Sequence, residues 1–127
     1  MNGKIDQKVK CLLEGWYLDK AEGKFHESFD RCWLHFEKRS GTACHATAKP
    51  RLQIRHMQRR WGSLSPNGRL MLNIDLIRAP RECIDYVILH ELSHLPYTDH
   101  GPEFYRLLEK MMPGWEKRKH RLELTLA

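Results

Sequence analysis

Residues His90-Glu91-Leu92-Ser93-His94 form an HExxH pattern inside a stretch of helical periodicity. Side chains four apart on a helix share a face, with Cβ atoms about 6 Å apart. Two imidazoles so placed can converge on one metal ion at Zn–N distances of about 2.0–2.1 Å. Glu91 is rotated about 100° from His90 on the helix. That takes it out of the ligand pair and suits it to act as general base on a metal-activated water. A third ligand is expected at His100, beyond Leu95-Pro96-Tyr97-Thr98-Asp99. Pro96 ends the helix near Leu95, Pro102 opens the next, and six extended residues reach about 20 Å, enough to fold back. In a chain with 8 histidines, HExxH arises by chance about 0.04 times. Three neutral imidazoles leave the cation its charge and one open position, which brings the pKa of bound water to about 7. The pattern therefore predicts a hydrolase using one Zn2+ ion. Ser93 has no base partner in the sequence and is not read as a nucleophile.

The elements that must position these residues follow from pattern. Ile5, Val9, Leu12 and Trp16 recur at helical spacing, and Leu18, Ala21, Phe25, Phe29, Cys32, Trp33 and Phe36 continue the stripe. A long N-terminal helix is expected, with Gly15 and Gly23 as points where it bends or divides. Leu52 and Ile54, then Leu70, Leu72 and Ile74, alternate with other residues, with Ser65-Pro66-Asn67-Gly68 between them as a type I turn. Residues 51–75 are expected to form a small antiparallel β-hairpin with an irregular first arm around Trp61-Gly62-Ser63. Ile84, Val87, Ile88 and Leu92 make the apolar face of the HExxH helix. Two C-terminal helices follow, from Pro102 and from Trp115 to about Leu124, separated by Pro113-Gly114. The fold class is α+β, one domain over residues 1–127.

The sequence resembles the YgjP-like metal-dependent hydrolases, a zincin-like metallopeptidase group. The resemblance rests on Arg60-Trp61-Gly62-Ser63, Leu72-Asn73, Ala79-Pro80 and Ile84-Asp85-Tyr86-Val87. It continues through His90 to Leu95 and Asp99-His100-Gly101-Pro102-Glu103-Phe104 to Pro113-Gly114-Trp115. It implies a zincin-like fold and a zinc ion held by His90, His94 and His100, with Glu91 catalytic. It also implies a strand edge at Gly68 to Asn73 that pairs with an extended substrate. The family usually carries a cysteine where this chain has Leu64, and an N-terminal β-rich extension whose lack would leave the cleft more open. The ligand spacing is also similar to that of the metzincins, but Tyr97 replaces their turn glycine.

Arg60, Trp61, Met71, Asn73, Tyr97 and Tyr105 are the expected substrate-contacting residues, with Arg60, Tyr97 and Tyr105 as the candidate oxyanion donors. Asp99, Glu103 and Asp75 are the carboxylates available to orient ligand imidazoles. Charge sets the partner classes. The 127 residues carry 22 Lys+Arg against 16 Asp+Glu, a net +6. Basic clusters at Arg51, Arg55, Arg59, Arg60 and Arg69, and at Lys117, Arg118, Lys119 and Arg121, suit a nucleotide or nucleic acid. The expected substrate is a peptide or unfolded protein. Two alternatives stay open: a nucleotide or phosphoester hydrolase on the same site, and a non-enzymatic zinc-stabilised nucleic-acid-binding module closed by a fourth ligand. No apolar run approaches the roughly 20 residues of a membrane span, so no membrane partner is expected. The absence of a secretory pattern behind Met1 and four scattered cysteines point to reduced thiols and a cytoplasmic location.

Overall fold

A long helix, α1 (Gly3–Arg39), carries the inward aromatic stripe of the computed structural model. The structure describes residues 3–40 and 48–126, with side chains from 15 to 40 and from 48 to 125. Ile5, Val9, Leu12, Cys11 and Cys44 thus lie outside the described side chains. The helix is continuous through both glycines. At 1.5 Å per residue it is about 55 Å long, and among its described side chains the buried stripe starts at Ala21. Ala21, Phe25, Phe29, Cys32, Trp33 and Phe36 are buried. Trp16 and Leu18, expected in the same stripe, are exposed, Trp16 at 53%.

The sheet has three strands, β1 (Arg51–Arg55), β2 (Gly62–Leu64) and β3 (Arg69–Asn73), in the order β1-β3-β2. Only β2 and β3 form the expected hairpin; β1 pairs with β3 in parallel. The chain runs forward along β1, back along β2 and forward again along β3, which inserts between them. Asn73 makes this tight crossover stable. Its Nδ2 donates to the carbonyls of Met57 and Arg60 at 2.7 and 2.9 Å, and its Oδ1 accepts from the Asp75 amide at 3.0 Å. The β2–β3 turn is the expected one. The Gly68 amide bonds the Ser65 carbonyl at 3.1 Å, and Gly68 sits at φ +84°, where a side chain would be strained.

A 3-10 segment (Ile74–Arg78) leads to α2 (Arg81–Leu92), followed by α3 (Pro102–Met111) and α4 (Trp115–Leu126). Leu70 and Leu72 of β3, Ile84, Ile88 and Leu92 of α2, Phe104 and Leu108 of α3 and Leu122 of α4 are fully or almost fully buried with the α1 stripe. Each such side chain contributes about 1.5–3 kcal/mol relative to exposure. Ion pairs and polar bonds fix the helices around α2. Arg31 of α1 grips both Asp85 oxygens at 2.6 Å, and Glu82 pairs with Arg118 and Arg121 of α4. His35 of α1 bonds the Met111 carbonyl at 2.7 Å. Cys32 and Cys83 are free, buried thiols. No helix among the described residues is long and apolar enough to cross a membrane.

Candidate metal centre and cleft

The HExxH helix ends slightly before the position that Pro96 dictates. Regular α geometry stops at Leu92, and the chain tightens into i→i−3 bonds, His94 to the Glu91 carbonyl and Leu95 to the Leu92 carbonyl, both 3.0 Å. His94 therefore sits on this final turn. Ser93 closes it from inside: it is fully buried, and its hydroxyl donates to the Leu89 carbonyl at 2.8 Å. That hydroxyl is structural.

The structure brings His90, His94 and His100 together, with one ligand atom from each lying within 4.8 Å of the others. The His94 and His100 Nε2 atoms face each other at 3.0 Å. A tetrahedral zinc with Zn–N bonds of about 2.0–2.1 Å spaces its nitrogens about 3.3 Å apart. His94 Nδ1 lies 3.0 Å from the Tyr97 carbonyl, so the proton belongs on Nδ1 and the Nε2 lone pair is left for a cation. Burial, reinforced by His94 and then His90, lowers the His100 pKa and favours the neutral, ligating form. The donor set fits zinc.

Beneath the three imidazoles lies the fully buried ring of Phe104, with centroids 5.1, 4.5 and 4.9 Å from those of His90, His94 and His100. This ring is a floor against which the three imidazoles pack. Pro102 at the start of α3 places Phe104 there and holds His100 just before the helix. To one side Trp115 stacks between Tyr86 and Tyr105, with centroids at 6.2 and 5.4 Å. Burial pushes the Tyr86 phenol up to about 12, with Tyr105, Glu123 and Glu91 adding to it.

Glu91 lines the same cleft as the triad, with its side chain 13% exposed and Oε2 3.2 Å from His90 Nδ1. Gly62 of β2 passes directly over it. A Cβ at Gly62 would lie 2.9 Å from Val87 Cγ1, 3.2 Å from the Met71 carbonyl oxygen and 3.4 Å from Glu91 Cγ. Only glycine lets the strand lie this close to α2. Sequence reasoning quoted Gly62 but gave it no function. A glycine followed by a short strand, upstream of HExxH, was the available signal. Phe104 and Tyr86 stand in the sequence as part of the family resemblance, with no role at the site attached to either.

The cleft, about 1080 Å³, is bordered by residues 60–68 and by Tyr86, Val87, His90, Glu91, His94, Leu95, Thr98 and His100. Of the six expected substrate-contacting residues, Arg60 and Trp61 line it, while Met71, Asn73, Tyr97 and Tyr105 do not. Met71 belongs to the central strand, and Asn73 is 3% exposed with its amide committed to backbone groups. Tyr97 contributes its carbonyl, to His94, and Tyr105 stacks on Trp115 outside the cleft. The expected edge at Gly68 to Asn73 is not an edge, because β1 covers the far side of β3. The strand edge beside the three histidines is β2. Among the described hydrogen bonds, the Tyr97 carbonyl meets His94 Nδ1 and Glu91 meets His90 Nδ1, while none joins Asp99, Glu103 or Asp75 to the three imidazoles; Asp75 lies 4.0 Å from His56.

A three-histidine centre on an HExxH turn, inside an α+β fold with a small mixed sheet, defines the zincin-like metallopeptidase class. The chain belongs to the YgjP-like family, whose metallopeptidase-domain model matches residues 2–125. Membership implies a divalent metal. Among solved structures the chain is similar to the metallopeptidase zymogen abylysin of Pyrococcus abyssi, with TM-score 0.67 and 20% identity over 80% of this chain and 94% of that one. It is also similar to the zymogen jannalysin of Methanocaldococcus jannaschii, with TM-score 0.66 and 18% identity over 81% and 97%. At these identities the likeness is one of fold. Comparison with curated protein sequences finds no significant match.

Proposed function

We propose that this protein is a zinc-dependent peptidase that cleaves peptides or unfolded protein segments lying along β2, with Glu91 as general base. The observation that carries this reading is the convergence of His90, His94 and His100 beside Glu91 in a cleft bordered by a strand edge. Zinc held by the triad would supply a Lewis acid and a water of pKa about 7.

The chain's own residues divide the remaining work. Glu91 accepts the water proton and returns it to the departing amine. Its position between Gly62 and His90 keeps the carboxylate beside the ligands. The β2–β3 ladder determines which backbone groups meet substrate. The Asn73 amide bonds the Trp61 carbonyl and the Ser65 amide bonds the Arg69 carbonyl, both at 2.9 Å, and Ser63 faces Met71. By the alternation of antiparallel pairs, Gly62 and Leu64 turn their N–H and C=O groups away from β3. Those groups are available to an extended peptide added as a further strand. Arg60 and Trp61 sit at one end of this edge, where a guanidinium and an indole can select the substrate side chain. A structural zinc site would need a fourth protein ligand, and none joins the triad among the described residues.

Replacing Glu91 by Gln tests the reading. The variant should keep one zinc per chain by elemental analysis and lose about 10²–10⁴-fold in hydrolysis of unfolded casein. Retained hydrolysis in the zinc-loaded variant would remove Glu91 from the chemistry. If the wild-type zinc protein cleaves no peptide, the peptidase reading fails.

A further inference from the structure

The two basic clusters of the sequence have different fates in the fold. Arg118 and Arg121 are paired with Glu82, Arg31 with Asp85, and Lys49 with Asp30. Arg51, Arg55 and Arg69 pair with no carboxylate among the described residues, and the one side-chain contact described for any of them is Arg55 to the Met71 sulfur at 3.8 Å. The register sets Arg51 opposite Arg69, and both point with Gln53 and Arg55 to the solvent face of the sheet, away from Leu70 and Leu72. Neighbouring strands lie about 4.8 Å apart, and Arg55 stands about 13 Å along β1 from Arg51. Like charges directly opposite on a sheet repel and destabilise it. A face that keeps such a pair without an internal acid is complementary to an external anion.

We propose that this face, Arg51, Arg55 and Arg69 with Gln53 between them, binds the phosphodiester backbone of a nucleic acid. Guanidinium groups meet phosphate oxygens bidentately, and three of them spread over about 13 Å match a run of backbone phosphates rather than one anion. A protein partner would call for an aromatic or aliphatic anchor. The large exposed apolar side chains, Trp16, Tyr17, Leu18, Leu34, Tyr105 and Leu124, all lie on helices, not on this face. No exposed Trp, Tyr or Phe ring lies on this face among the described residues, so the binding is independent of sequence. None of the three arginines lines the cleft, so the bound strand leaves the β2 edge free. The inference stands apart from the peptidase reading.

Fluorescence anisotropy of the zinc-loaded protein with short fluorescein-labelled single-stranded and duplex oligonucleotides tests it. Three phosphate contacts give a salt slope of about −2 for a single strand and about −3 for a duplex, a loss of roughly 20- to 40-fold between 50 and 200 mM salt. Substituting Arg51, Arg55 and Arg69 together by Gln should weaken binding more than tenfold, with the melting temperature raised rather than lowered, since the opposed charges are gone, and with peptide hydrolysis unchanged. Should the triple variant fail to fold, Arg55→Gln alone should lower the magnitude of the slope by about 0.7–0.9. Lys117→Gln with Lys119→Gln should change affinity less than twofold. Three results would each overturn the proposal: no binding at low salt, binding indifferent to the arginine substitutions, or displacement of the oligonucleotide by poly-glutamate as effectively as by unlabelled oligonucleotide. The last would assign the face to an acidic protein.

Discussion

Gly62→Ala is the sharpest test of how the strand and the HExxH helix share the site. The added methyl would meet Val87 Cγ1 at 2.9 Å and the Met71 carbonyl oxygen at 3.2 Å, where relaxed carbon–carbon contacts lie at about 3.5–4.0 Å. The shortfall against Val87 is roughly 0.6 Å or more by that measure. The carbonyl cannot yield, because Met71 lies in the central strand opposite Ser63. Val87 is β-branched on a helix and has essentially one χ1 well. Relief must come from β2 and α2 moving apart, and overpacking of this kind costs about 1–3 kcal/mol. For a domain of this size that lowers the melting temperature by roughly 3–15 °C. The same movement shifts Glu91, whose Cγ is 3.4 Å from the new methyl, while the histidine triad, set by α2 and Phe104, stays intact. The expected result is therefore a lower melting temperature, unchanged zinc stoichiometry and a fall in kcat of at least tenfold. Adding Val87→Ala makes room for the methyl, so the double variant should be more stable than the sum of the single changes predicts. Differential scanning fluorimetry, metal analysis and peptide turnover read all three quantities. An alanine variant that melts within a degree of the wild type and turns over at full rate would refute the close approach.

Asn73→Ala should destabilise the fold by about 2–4 kcal/mol, since it leaves the Met57 and Arg60 carbonyls without their donor; urea denaturation measures this, and retained zinc in the folded fraction separates it from a site effect. The Tyr86 phenol, raised from 10.0 to about 12 in the native protein, should stay protonated while the unfolded chain loses its proton. Over that window the unfolded state binds fewer protons, so stability falls as pH rises from 10 towards 12. Absorbance titration at alkaline pH, with Tyr86→Phe as the comparison, should show the late-titrating phenol disappear. Replacing His100 by Ala should abolish stoichiometric zinc while leaving α2 folded, measured by elemental analysis and circular dichroism.

The helices and the histidine cluster were legible because their signals are local. Four-residue spacing places His90 and His94 on one side of a helix, prolines at 96 and 102 bracket the loop to His100, and the apolar stripe of α1 repeats at helical period. Helical period does not report where a helix has neighbours: Trp16 and Leu18 continue the stripe yet are exposed, while burial among the described side chains of α1 starts at Ala21. The sheet was misread for a related reason. Alternation in residues 51–55 and 69–73 identifies strands, but a two-residue period carries no direction, and the parallel pairing of β1 comes with Asn73 bonding a loop 13 and 16 residues upstream. The insertion of β3 between β1 and β2 leaves the edge beside the cleft to β2 rather than β3. The bonds to the loop also turned Asn73 from an expected substrate contact into the clamp that holds β2 beside Glu91. The residues that shape the cleft, Gly62 by its missing side chain and Phe104 by its buried ring, act through atoms from separate elements. Their chemistry is invisible in the linear pattern because neither bears a reactive group. Reactive groups could be named from spacing, whereas the surfaces that confine them became assignable only once β2, α2 and α3 were in contact.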